Sequence, residues 1–238
     1  MEKIYQITVS FMQMTDEEAR KLYDFIFKYA VDITARIDAT NILTPERVKY
    51  ELEKTVNEGY IEYEKKYAKK SYGVRIAKNE FEGKIPTLEE YIKYNLEDFH
   101  GYGSVTDEDI EKIVKKYNEY FLKCYHGDIE KAKSNVLIPK WDEVIGVFFK
   151  LAYKKSGIIE YVAINLGPKT KKVFYDDGRY WYSVTIGNMR LMDDINFFSK
   201  DRLIASVTSD DNDYSLYLNK EQLEEFKKLG LEYDQYYF

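Results

Sequence analysis

The chain is short of reactive residues. Its 238 positions hold one cysteine, two histidines and four prolines, and each shortage closes a line of chemistry. Cys124 stands alone, so no internal disulfide can form, as in a reducing compartment. Zinc sites take four nitrogen or sulfur ligands at set spacings, and Cys124 with His126 offers half of one. The plainer reading is that Cys124 ends a buried helical stripe and His126-Gly127 closes that helix, where a cation and a glycine both suit. Residues two apart do not share a helix face, so the pair makes no nucleophile–base dyad, and no Gly-x-Ser-x-Gly elbow exists. Dinucleotide and P-loop signatures are also missing. No catalytic constellation, metal site or cofactor is expected.

Positive charge is not in excess. Thirty-six basic residues against 42 acidic ones give a net charge of −6, mixed along the chain without an acidic or basic tail. A duplex-binding footprint needs a basic excess on one face, so this balance argues against it. No run approaches the roughly 18 apolar residues of a membrane span. The Met1–Tyr5 start carries no apolar signal-peptide core. The expected setting is the cytoplasm, away from membranes.

What the chain has is tyrosine: 24 residues, with aromatics at 16%. Alanine is scarce beside Lys, Ile, Asn and Tyr, the usage of an AT-rich coding sequence. Tyrosine can fill a core or form a surface that grips a partner, so position decides its meaning. Residues 4–12 alternate as a half-buried strand and run into Thr15-Asp16-Glu17-Glu18, a capping box. The stripe Ala19, Leu22, Tyr23, Ile26, Tyr29, Ala30, Ile33, Ile37 predicts one long helix. Thr44-Pro45 opens a second, carrying Val48, Leu52, Val56, Tyr60, Tyr63 and Tyr67 past Gly59. Thr87 with Glu90 starts a third and Thr106 a fourth, with acids in its first turn. Most tyrosines here follow buried stripes.

Beyond about residue 140 the texture becomes β-rich. Residues 145–153 alternate as a strand and turn at Lys155-Ser156-Gly157 into a second, Ile158–Leu166, although Trp141, Val144, Ile145, Phe148 and Ala152 also fit a helix. Lys171–Tyr175 and Arg179–Ile186 flank Asp176-Asp177-Gly178, a strong hairpin signal. Leu203–Thr208 and Tyr214–Leu218 flank a polar loop, and Asn219 with Gln222 caps a last helix. Hairpin-linked strands imply an antiparallel meander. The expected class is α+β: a mainly helical region over 1–138, with an N-terminal strand and about four helices, and a β-meander of about five to six strands with a short helix over 139–238. The two can form one integrated domain.

Several smaller constellations read as ordinary structure. Asp211-x-Asp213-x-Ser215 begins like a calcium loop, but Leu216 stands where glycine is needed and Gln222 where glutamate is. The pairs Asp176-Asp177 and Asp193-Asp194 sit at turns. Gly167-Pro168-Lys169-Thr170-Lys171-Lys172 reads as a solvated basic loop with no following helix.

Two aromatic patches remain as candidate partner-binding sites. In the Asp-Gly hairpin, Phe174 opposes Trp181 on one face, ringed by Lys172, Asp176, Arg179 and Ser183, while the other face is more apolar and packs inward. An aromatic anchor inside a polar rim has the anatomy of an interface hot spot; a helix laid over that face makes Trp181 core instead. At the C-terminus, Tyr236, Tyr237 and Phe238 either dock onto the sheet or bind a partner. The leading expectation is a non-enzymatic protein-binding module of the inhibitor, immunity or anti-defence type. Its acidity suits a partner with a basic, nucleic-acid-handling surface. The alternative is an enzyme or ligand binder whose site gathers scattered carboxylates and tyrosines between the helical half and the sheet. Direct nucleic-acid binding would need Lys65, Lys66, Lys69 and Lys70 to join the 169–172 loop in one basic face.

Overall fold

Alternation along Tyr5–Ser10 (β1) sends Ile7 and Val9 into the core and Gln6 and Thr8 to the opposite side. The capping box then forms as expected. Thr15 Oγ1 accepts from the Glu18 N–H, and Glu18 accepts from the Thr15 N–H. It opens Asp16–Tyr29 (α1), which buries Leu22, Tyr23, Phe25, Ile26 and Phe27. The structure, a computed structural model, describes residues 3–12, 14–37, 43–56, 58–77, 85–97, 106–124, 142, 144–152, 157–177, 185–186, 189–190, 193–208 and 213–236.

The long first helix is corrected here. α1 stops at Tyr29, its cap Ala30 turns extended, and Asp32–Ile37 is a strand, β2. Ile33 and Ile37 lie four apart, a spacing that satisfies a helix and a strand equally. The β-branched run Val31, Ile33, Thr34 decides for the strand. Val31 is stitched on both sides, donating to Phe198 O and accepting from Leu166 N, each at 2.8 Å.

Four helices follow: Pro45–Val56 (α2), Glu58–Ala77 (α3), Leu88–Glu97 (α4) and Asp107–Cys124 (α5). The continuous second helix expected through Tyr67 is thus two. Thr44, Thr87 and Thr106 each cap as read, their hydroxyls accepting from Arg47, Glu90 and Asp109 amides. Val144–Ala152 (β3) and Gly157–Asn165 (β4) pair antiparallel, so the strand reading of that segment holds.

The Asp-Gly hairpin is the largest correction. Pro168–Asp177 is a helix, α6. Pro168 occupies its first position, Lys172 pairs with Asp176 one turn on at 2.6 Å, and Thr170 and Phe174, four apart, are both fully buried. The Val173-Phe174-Tyr175 run that suggested a strand packs from this helix. The 169–172 segment is therefore not a loop.

The chain continues through Thr185–Ile186 (β5) and Met189–Arg190 (β6), which pair with each other. Asp193–Phe198 (β7), Leu203–Thr208 (β8) and Asp213–Leu218 (β9) then form a meander. Lys220–Lys227 (α7) carries the predicted Asn219–Gln222 capping box. The chain leaves it through Gly230, whose φ of 71° lies in the left-handed region that glycine tolerates. Asp234–Tyr236 is β10.

Among the described residues eight strands join in one antiparallel sheet, ordered β10-β1-β9-β8-β7-β2-β4-β3. The class is α+β, as expected. The sheet interleaves both halves of the chain, because β1 lies between β10 and β9 and β2 between β7 and β4. One face packs Ile7, Val9, Ile33, Ile195, Phe197, Ala205, Val207, Tyr214 and Leu216 against α1, α6 and α7. The other packs Phe198, Leu203, Ala163 and Tyr217 against Tyr67 and Val74 of α3. No helix among the described residues is long and apolar enough to cross a membrane.

Candidate functional site

β1 is longer than its outer partner. Gln6, Ile7 and Thr8 pair with Tyr236, Gln235 and Asp234, whereas pairing with β9 continues through Val9 and Ser10 to Tyr214 and Asp213. Among the described residues no strand lies outside Val9 and Ser10. Along a strand, successive residues direct their N–H and C=O to alternate sides. One of these two residues therefore presents both backbone groups to the open edge.

The chain entering β10 makes no described strand pairing with that edge. Gly230 turns it out of α7, Leu231 is buried, and the Tyr233 ring stands edge-on to Phe226 at 5.5 Å. A cleft of about 890 Å³ opens between this segment and β1. Its lining runs from Thr8, Val9 and Ser10 on the strand, past Met14 and Glu18 at the start of α1, to Glu232 and Asp234. Val9, Met14 and Leu231 give it an apolar floor continuous with the core. Glu18, Glu232 and Asp234 give it three carboxylates, and its described lining residues include no lysine or arginine. The Thr15 amide and hydroxyl hydrogen bonds hold the Glu18 carboxyl below the usual glutamate range, so it stays charged.

A second constellation lies under α3. Asp32, on the second face of the sheet, receives Lys70 Nζ at 3.2 Å and Lys66 Nζ at 3.5 Å. Lys70 is 7% exposed, also donates to Ser199 O at 2.6 Å, and stands over the Tyr67 and Phe198 rings. Desolvation lowers the Lys70 pKa, and Asp32 opposes that shift. The Tyr67 hydroxyl is pushed up, by burial first and by the Asp32 charge second. Beside this cluster a cross-strand row of small polar residues crosses five strands: Thr8, Ser215, Ser206, Asn196 and Thr34. Gln6 Nε2 donates to Ser215 Oγ at 3.2 Å, and its Oε1 is buried without a hydrogen-bond partner.

The residues singled out from sequence are scattered. Phe174 is fully buried, its ring 5.6 Å from both Phe27 and Phe197, and so belongs to the core. Asp176 is exposed on α6 in its pair with Lys172. Tyr236 contributes backbone to β10, paired with Gln6 of β1. Arg179, Trp181, Tyr237 and Phe238 lie outside the described residues, as do 209–212 of the calcium-like loop and His126. Among the described residues no three His, Cys, Asp or Glu side chains gather as metal ligands. Lys70 turns into the protein while Lys65 and Lys69 stay exposed, which splits the lysine run.

Sequence reading identified Glu18 only as a cap and passed over Val9, Ser10, Glu232 and Asp234. Their common site exists because β10 covers half of β1, and no local pattern signals that pairing. Comparison of the chain with protein-family models, curated proteins and solved structures found no match.

Proposed function

We propose that this chain is a non-enzymatic protein-binding module of the inhibitor, immunity or anti-defence type, working in the cytoplasm by covering a functional surface of a partner. The observation that carries the reading is the acid-lined cleft at the β1 edge. It combines an apolar floor with a carboxylate rim that has no lysine or arginine among its described lining residues, which favours a basic surface of the kind that handles nucleic acid. The net charge of −6 acts in the same direction at longer range. Affinity purification from the native host, with wild type and the charge-reversed Glu232→Lys/Asp234→Lys variant, tests it. The expected result is a stoichiometric protein partner that the variant loses. Retrieval of no protein, together with a small molecule or metal carried by the purified chain, overturns the reading.

A second reading, a ligand-binding or catalytic site between the helical half and the sheet, is favoured by the Lys70–Asp32–Tyr67 cluster. A desolvated lysine beside a carboxylate is a recurrent form of amine nucleophile. Borohydride trapping with a panel of simple aldehydes, mapped by peptide mass, tests it. Modification of Lys70 ahead of the exposed lysines supports this reading, and modification of the exposed lysines alone sinks it.

A further inference from the structure

The open edge of β1 adds a backbone requirement to the charge of the cleft. Val9 and Ser10 are held in strand geometry by β9, yet have no outer partner among the described residues. Unpaired strand edges are templates for another strand. The protein has blunted this one only through Thr8, with the three-residue β10. Beyond that point the edge opens into the cleft, where exposed Glu232 and Asp234 flank it and Met14 and Leu231 form the floor. Resting on the protein-binding reading above, we infer that the cleft takes one extended, lysine- or arginine-bearing segment of the partner. That segment adds as a strand outside Val9 and Ser10, in line with β10.

The division of labour follows from strand geometry. Main-chain hydrogen bonds to Val9 or Ser10 set the register of the incoming segment. Its side chains alternate, so apolar ones can reach the Met14–Leu231 floor while basic ones reach the carboxylates. A folded basic surface without a free strand satisfies the charge but leaves the backbone groups of β1 unpaired. A folded domain and an extended segment are therefore distinguishable.

The test uses the full chain and two fluorescein-labelled hexapeptides, Lys-Val-Lys-Val-Lys-Val and the same peptide N-methylated at alternate residues, which removes the donors of one edge and keeps the charge. Fluorescence anisotropy at low salt should show saturable binding of the unmethylated peptide. N-methylation should weaken it by at least about tenfold, and Glu232→Lys/Asp234→Lys by a similar factor. Both replaced side chains are exposed, and an unchanged circular dichroism spectrum and melting temperature confirm that the variant folds; Glu232→Gln/Asp234→Asn repeats the measurement without charge reversal. Equal affinity for the two peptides overturns strand addition, as does indifference to both double variants, or failure of the unmethylated peptide to bind. A stoichiometric partner retrieved from the host alongside any of those results leaves protein recognition standing, so the two ideas fail separately.

Discussion

The face of the sheet under α1, α6 and α7 is closed by rings, whereas the face under α3 is crossed by small polar residues and pinned by an ion pair. On the first, Tyr23, Phe27, Phe174 and Phe197 meet at centroid separations of 5.6–6.4 Å, with Tyr175 at their margin. Burying one such side chain contributes about 1.5–3 kcal/mol, and aromatic pairing adds to that. On the second, Lys70 must be desolvated to reach Asp32, so attraction and desolvation largely offset each other. The first face is stabilised by its rings. On the second, the ion pair ties α3 to β2 at little net gain beside the apolar contacts of Tyr67, Val74, Phe198 and Leu203.

That contrast can be broken by experiment. The largest effect belongs to Phe174→Ala, expected to cost about 3–5 kcal/mol in urea unfolding because the surrounding rings cannot close the cavity. A loss below about 1 kcal/mol would remove α6 from the core. Asp32→Ala should cost about 3 kcal/mol, since it strands Lys70 without its carboxylate. The double change Asp32→Leu/Lys70→Met should be close to neutral, and a double variant as unstable as the single one shows that the ion pair does more than hold position.

Smaller effects sharpen the comparison at the margins of the two faces. Asp142 Oδ2 accepts the Thr170 amide at 2.8 Å and thus caps α6 in place of Gly167, which has no side chain. Asp142→Ala should cost about 1 kcal/mol. A Cβ on Gly167 would lie 2.5 Å from Asp142 Cγ, so Gly167→Ala should displace the same cap. Burial acts to raise the Asp142 carboxyl, but its hydrogen bonds with Thr170 and the nearby Lys169 outweigh that and hold it below the ordinary 3.8. Its contribution is full above that value and is lost as pH falls through the lowered one. Asp142→Asn should flatten that part of the acid limb.

On the alkaline side burial, then the hydrogen bond to Asp24, push the Tyr175 hydroxyl up to about 12. An acid whose folded pKa is raised stabilises below its unfolded value of 10.0 and loses that stabilisation as pH rises through 12. Tyr175→Phe should therefore flatten unfolding curves between those limits, and an unchanged slope removes Tyr175 from the linkage.

Local signals were legible in the sequence and pairings were not. Every threonine or asparagine read as a helix cap is one, because capping needs only residues three apart. The β3–β4 and β8–β9 hairpins were likewise visible as adjacent strands. The segment 168–177 misled because Val-Phe-Tyr followed by Asp-Gly favours a hairpin in isolation, while its helix is capped by Asp142, a residue remote in sequence. Ile33 and Ile37 misled because their spacing fits both periods. The cleft at β1 depends on which strand lies beside it, and tertiary pairing settles that. Among the described tyrosines, Tyr23, Tyr67, Tyr91, Tyr117, Tyr214 and Tyr217 are buried, whereas Tyr50 and Tyr94 are exposed.

The place of β1 in the sheet also sets an order of events in time. Among the described strands it comes first in sequence, and its two neighbours, β9 and β10, come last. During synthesis its apolar side chains, Ile7 and Val9, must wait unpaired while the residues between β1 and β9 are made. Contacts so distant along the chain are slow to close, and an exposed strand edge in the interval is open to misassociation. A chain interrupted before residue 213 would leave β1 without either partner. The sheet thus closes around β1 only once β9 and β10 have been made.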